Sequence, residues 1–190
     1  MKKVIIASLV ATLIVFVYQA LSWMVLPFHT NSMEYLPQQD TVLALLDTYA
    51  TEDGVYRMPG TPPDLSQADH ENMMAEMEGK PWAMVHFHKS YHNSMGSAMV
   101  IGILLNLFAA LIVSWLLSRC TGFTTFLSRW LAVMAFAVFS VLQADLMDWN
   151  WWQTPASYLT GEVIDTLLGW ALAGLWLGWY MGRAPRTRPA

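Results

Sequence analysis

The sequence predicts an all-α membrane bundle of four transmembrane helices with a small α+β extracytoplasmic domain between helices 1 and 2. Three observations predict it: four apolar spans, the partition of charge between their ends, and a polar, turn-rich stretch after the first span. The spans, residues 4–28, 97–117, 124–144 and 163–181, each approach the roughly 20 helical residues that cross a hydrocarbon layer of about 30 Å. They lack the alternation of barrel strands, so their amides must be satisfied within helices. With 55% hydrophobic and 13% charged residues, about half the charge of an average soluble domain, the composition argues against a soluble multidomain enzyme.

Orientation follows from Lys and Arg. Lys2 and Lys3 precede span one, Arg119 and Arg129 flank the second connection, and Arg183, Arg186 and Arg188 follow span four, whereas all 14 acidic residues fall on the opposite side. The positive-inside rule places both termini in the cytoplasm of a plasma (inner) membrane and residues 29–96 outside. The chain then divides into residues 1–28 (first helix), 29–96 (acidic outer domain), 97–182 (helices two to four) and 183–190 (basic tail). Trp149, Trp151, Trp152 and Tyr158 in the last outer loop, with Trp23, suit the headgroup level. Lys2, Lys3 and the small pair Ala20 and Ser22 also fit a cleaved secretory signal. Apolar character continuing through Trp23, Met24, Val25, Leu26 and Phe28 favours an uncleaved anchor.

The outer domain carries ten acids against three bases, Arg57, Lys80 and Lys89. Such a surface repels nucleic acid and anionic headgroups. Asp40 can cap a helix over 41–49 with Val42, Leu45, Leu46 and Tyr49 on one face, and Asp53-Gly54 turns into a strand over 55–58. Pro59-Gly60 and Pro62-Pro63 break the chain. Ser66 and Asp69 form a capping box for a helix ending at Gly79, and residues 82–88 make a second strand. The sole thiol, Cys120, provides no disulfide and reads as a bystander.

Two outer groups could take copper or zinc. His70, Met73, Met74 and Met77 share a helical face, which suits monovalent copper, although flexible methionines also fill irregular cores. His86, His88 and His92 supply an imidazole pair in either extended or helical geometry, with His29 able to approach. Interfacial imidazoles bonded to nearby carboxylates are the competing reading, and no cofactor is required by the sequence.

Span two carries a small or polar residue every fourth position: Ser94, Ala98, Gly102, Asn106, Ala110, Ser114 and Ser118. The ridge allows close helix contact, with Asn106 able to hydrogen-bond across it. Gly174, Gly178 and Gly182 form a second ladder on span four, a plausible counterpart within the chain or in a second copy. Asp165, one turn inside span four, is either a group for cation passage, proton relay or pairing, with Lys80, Lys89 and Arg57 as outer partners, or a complement to the helix dipole.

Gly79 to Ala83 (Gly-Lys-Pro-Trp-Ala), followed by His88 to Ser90 (His-Lys-Ser), resembles a stretch in uncharacterised bacterial four-span membrane proteins with an outer insert after the first helix. The resemblance covers residues 79–118 and implies no activity. No nucleophile with a base and no phosphate loop is present. The expected function is therefore a non-enzymatic membrane protein for assembly or interaction, with the lipid bilayer and a homo-oligomer or membrane protein as partners. Extracytoplasmic metal handling and a small oligomeric transporter or channel are the alternatives.

Overall fold

A computed structural model describes residues 1–30, 32–62, 64–92 and 94–183; Arg186 and Arg188, the distal part of the basic tail, lie outside them. The chain forms two compact units, residues 1–34 with 94–190, and residues 35–93.

The first unit is helical. Helix α1 spans Lys2–Met24, and a 3-10 turn follows at Pro27–His29. After the second unit come α4 (Met95–Arg119), α5 (Phe126–Gln143), α6 (Asp145–Trp152) and α7 (Ala156–Gly182). Four helical stretches, with α5 and α6 counted together, are long and apolar enough to cross a membrane. The second unit contains α2 (Gln39–Tyr49), β1 (Gly54–Met58), α3 (Gln67–Met77) and β2 (Ala83–Phe87).

Several boundaries differ from expectation. Span one was expected to reach Phe28, but the α-helix stops at Met24, because Pro27 lacks an amide hydrogen and opens the 3-10 turn instead. The Trp-rich loop after span three is largely helix: α6 continues to Trp152 and ends at Gln153 in the left-handed region, φ 51°. Helix α7 begins seven residues before the apolar run, directly after Pro155, whose fixed φ suits a helix entry. Its first two turns are polar enough to be missed by an apolarity criterion.

In the bundle α1 packs against α4 on one side and α7 on the other, and α5 packs on α7. The core is built from Ala7, Ala11 and Val15 of α1, Ala110, Val113 and Leu117 of α4, Val133 of α5, and Ala173 and Leu177 of α7. Small residues dominate the α1 face, so the helices approach closely without a driving force from apolar burial. Indole hydrogens reinforce the contacts: Trp176 Nε1 donates to Ala7 O at 3.0 Å and Trp130 Nε1 to Ala171 O at 3.2 Å.

At the basic end cations cap and tie backbone. Lys3 Nζ donates to Met181 O at 3.0 Å and to Arg183 O, meeting the free carbonyls at the end of α7. Arg129 Nε donates to Gly178 O at 2.7 Å while its Nη1 donates to Phe123 O and Thr124 O, fastening the start of α5 to α7. The α5 entry has a reciprocal cap between Thr125 and Ser128.

In the second unit β1 and β2 pair antiparallel, Gly54 opposite Phe87 and Met58 opposite Ala83. The Ser66 cap of α3 is present, its Oγ accepting from Asp69 N at 3.2 Å, and Gly79 closes the segment with φ 75°. Asp40 does not cap α2. The cap position is Gln38, at φ 58°, and Asp40 lies in the first turn, where its charge still complements the dipole.

Candidate functional site

The one buried carboxylate among the described residues is Asp165, 6% exposed. Its position follows from a ridge on α7, Gly161, Asp165, Gly169 and Ala173, that repeats every four residues and so stays on one face. Facing it, α1 presents Val15, Tyr18 and Ser22, all buried. Gly169 lets the Tyr18 ring settle against α7, since a Cβ there would stand 3.2 Å from Tyr18 Cδ1.

Three donors meet the carboxylate. Ser22 Oγ donates to Oδ1 in a short hydrogen bond, Tyr18 OH lies 3.3 Å from the same oxygen, and His29 Nε2 lies 3.1 Å from Oδ2. Both His29 and Asp165 side chains are more than nine-tenths buried. A buried carboxylate is tolerable only when its lone pairs are satisfied, as here. The 3-10 turn delivers His29 back over α7, and Gly161 makes room for it: a Cβ would come within 2.7 Å of the imidazole and 3.1 Å of Phe28 O. Trp23 covers the ring by stacking at 3.9 Å between centroids and 10° between planes. His29 Nδ1 is buried without a hydrogen-bond partner.

Sequence reasoning singled out Asp165 but assigned it Arg57, Lys80 or Lys89 as partners. The observed partner is His29; Lys89 instead pairs with Asp47 at 3.1 Å, and Arg57 stands 5.9 Å over the Trp82 ring. Tyr18, Ser22 and Gly161 were missed. Their signal was present: Tyr18 and Ser22 extend the Ala7, Ala11, Val15 face, and a polar side chain on such a face within a span calls for a partner.

The two ladders do not meet within the chain. Gly174 and Gly178 face α5, where added Cβ atoms would stand 3.1 Å from Trp130 Cδ1 and 3.2 Å from Phe126 Cε2. On α4 the ridge faces α1 only in its C-terminal half: Asn106 Nδ2 donates to Gln19 Oε1 at 2.8 Å, and Ser8 Oγ to Ala110 O at 3.2 Å. Ala98 is exposed, and a Cβ on Gly102 would meet nothing within 4 Å. Within the chain there are two separate close contacts, α1 with α4 and α7 with α5, because α1 has a small-residue face of its own.

The histidines of and after β2 are placed apart in role. His86 is opposite Val55 in the sheet, His88 Nδ1 lies 3.1 Å from Asp53 Oδ2, and His92 lies before α4 in non-helical chain. Among the described residues no three His, Cys, Asp or Glu side chains converge as metal ligands. On α3, Met73 and Met77 are half-buried while His70 and Met74 are exposed, so only part of the methionine face packs inward. Lys89 N donates to Asp53 Oδ1 at 2.9 Å; that backbone bond first, then the His88 contact, holds the Asp53 carboxyl below the usual carboxylate range.

The geometry defines a class: a helical protein with four spans of membrane-crossing length, held together by small-residue contacts and one buried carboxylate cluster. No protein-family model, curated protein or solved structure matches the chain.

Proposed function

We propose that the chain is a non-enzymatic, multi-pass protein of a bacterial plasma membrane that acts as an assembly or interaction component, with both termini cytoplasmic and the acidic unit outside. One observation carries the reading. In the second unit the only fully buried apolar residues, among those described, are Ala50 and Phe87, while α2 leaves Val42, Leu43, Leu45 and Tyr49 exposed. An isolated 11-residue helix is marginal in water, and a unit with so little core gains stability by laying that face on something else. The acidic charge around it disfavours an anionic lipid surface and favours another protein, a second copy included.

The Asp165 cluster serves this role by fixing where the chain leaves α1. Its carboxylate is enclosed by Tyr18, Ser22 and His29, which suits a tie between α1 and α7 better than an open station on a transport path. The test is a photo-crosslinking residue at Leu45 in intact cells. An adduct with a membrane protein or a second copy, lost when Val42 is replaced by Asp, is expected. Crosslinking confined to the chain itself would refute the interaction reading.

A second reading, proton passage, draws on the buried and unpartnered Nδ1 of His29 beside a carboxylate. Proton flux in liposomes that is abolished by Asp165→Asn would favour it; flux indistinguishable from protein-free vesicles would remove it.

A further inference from the structure

At the basic end of the bundle, α1 and α4 border a groove of ≈ 580 Å³. Its walls are Val4 and Ile5 of α1 with Leu111 and Trp115 of α4, and its rim carries Lys3 and Arg119. The Arg119 guanidinium makes no hydrogen bond or ion pair with any described residue, and neither does the indole N–H of Trp115, which is 51% exposed. Lys3 is bonded only to carbonyls, so its charge has no carboxylate opposite it.

Among the described residues, no carboxylate forms an ion pair with Lys3 or Arg119. Those on α6 and α7, namely Asp145, Asp148, Glu162 and Asp165, lie on α6 or in the first turns of α7, at the opposite end of α7 from its contact with Lys3. An anion supplied from outside the chain can therefore balance Arg119 and Lys3. Apolar walls continuing directly below the cations add a second requirement, since a free phosphate would leave them uncovered.

We propose that this groove is a binding site for an anionic phospholipid, with the headgroup phosphate at Arg119 and the Trp115 N–H and one acyl chain along Ile5 and Leu111. Guanidinium and indole donors recognise phosphate oxygens by charge-assisted hydrogen bonds, and an acyl chain covers apolar surface that facing helices leave open. The site rests on the membrane-spanning reading but not on the orientation, because a lipid fits the groove whichever leaflet it faces.

The test is native mass spectrometry of the full chain in detergent, offered phosphatidylglycerol or phosphatidylcholine with identical acyl chains. Retention of phosphatidylglycerol by on the order of 30-fold over phosphatidylcholine is expected, as about 1 kcal/mol per cation near a headgroup predicts for two. In Arg119→Gln the preference should fall toward parity. Arg183→Gln, which removes a cation stacked on Trp179 outside the groove, should leave it intact. Equal retention of both lipids overturns the proposal, as does a preference unchanged in Arg119→Gln. Displacement of the lipid by millimolar inorganic phosphate also overturns it, by showing a site for the free anion. A failed spanning reading is visible separately, as extraction of the chain from membranes by alkaline carbonate without detergent.

Discussion

His29 and Asp165, 136 positions apart, meet at 3.1 Å with both side chains nearly removed from solvent. The contact closes the first unit: the segment leaving α1 folds onto the fourth span before the chain enters the second unit. Because the carboxylate also receives Tyr18 and Ser22, three donors depend on one acceptor.

Removing that acceptor should be the most damaging single change in the bundle. Asp165→Leu strands the Ser22 and Tyr18 hydroxyls and the His29 ring in a dry site, and breaking a buried pair by deleting one partner costs about 3–5 kcal/mol. Asp165→Asn keeps an acceptor oxygen and should cost roughly 1–2 kcal/mol, the range of a single buried hydrogen bond. Thermal unfolding in detergent, followed by circular dichroism, should rank wild type above Asn above Leu. Equal melting of all three would mean that the cluster does not hold α1 to α7.

Glycines in this chain divide by what faces them. Gly161→Ala puts a methyl within 2.7 Å of the His29 ring and should force the 3-10 turn off α7, at roughly 1–3 kcal/mol. Gly178→Leu should separate α7 from Phe126 on α5. Gly102→Ala meets open space and should stabilise slightly through helix propensity. Gly102→Leu then isolates the question of association: the monomer tolerates it, so any loss of oligomer in analytical ultracentrifugation reports an interface on the N-terminal half of α4.

Span positions were legible because a run of apolar residues leaves the backbone no choice but helix. The capping pair Ser66 and Asp69 and the strands around Val55 and Val85 were equally plain, since each rests on a local signal of a few residues. What failed was anything set by the neighbour. Spacing showed that Gly102 and Gly178 lie on small ridges, but the choice of facing helix depended on α1, whose Ala7, Ser8, Ala11 and Thr12 make it the central element. Asp165 stood out by its depth, whereas its partner came from a turn created by Pro27, a residue inside what read as continuous span.

Acid should loosen the junction where Asp53 receives Lys89 N and His88. The folded carboxyl is held below its ordinary value of 3.8, so its contribution is fully present above that value and is lost as pH falls through the lower folded one. The group is fully exposed, so the effect is local and modest. The carboxyl carbon resonance of Asp53 should titrate with a midpoint below 3.8, and in His88→Ala the midpoint should rise only partway, because the first cause is the Lys89 amide. A midpoint at or above 3.8 in the wild type would contradict the observed bonding.

The threading of the chain has a direct chemical readout, since its one thiol, Cys120, is exposed just after α4. If Lys2, Lys3, Arg119 and Arg129 face the cytoplasm, a membrane-impermeant maleimide added to intact cells should leave Cys120 unmodified and label it only after permeabilisation. In the Cys120→Ser background, Glu76→Cys on α3 should react at once in intact cells, because Glu76 is exposed and the acidic unit is proposed to lie outside. Both residues labelled from the same side would require an even number of crossings between them, none included. That result would overturn the orientation while leaving the buried Asp165 cluster, which is internal to the bundle, untouched.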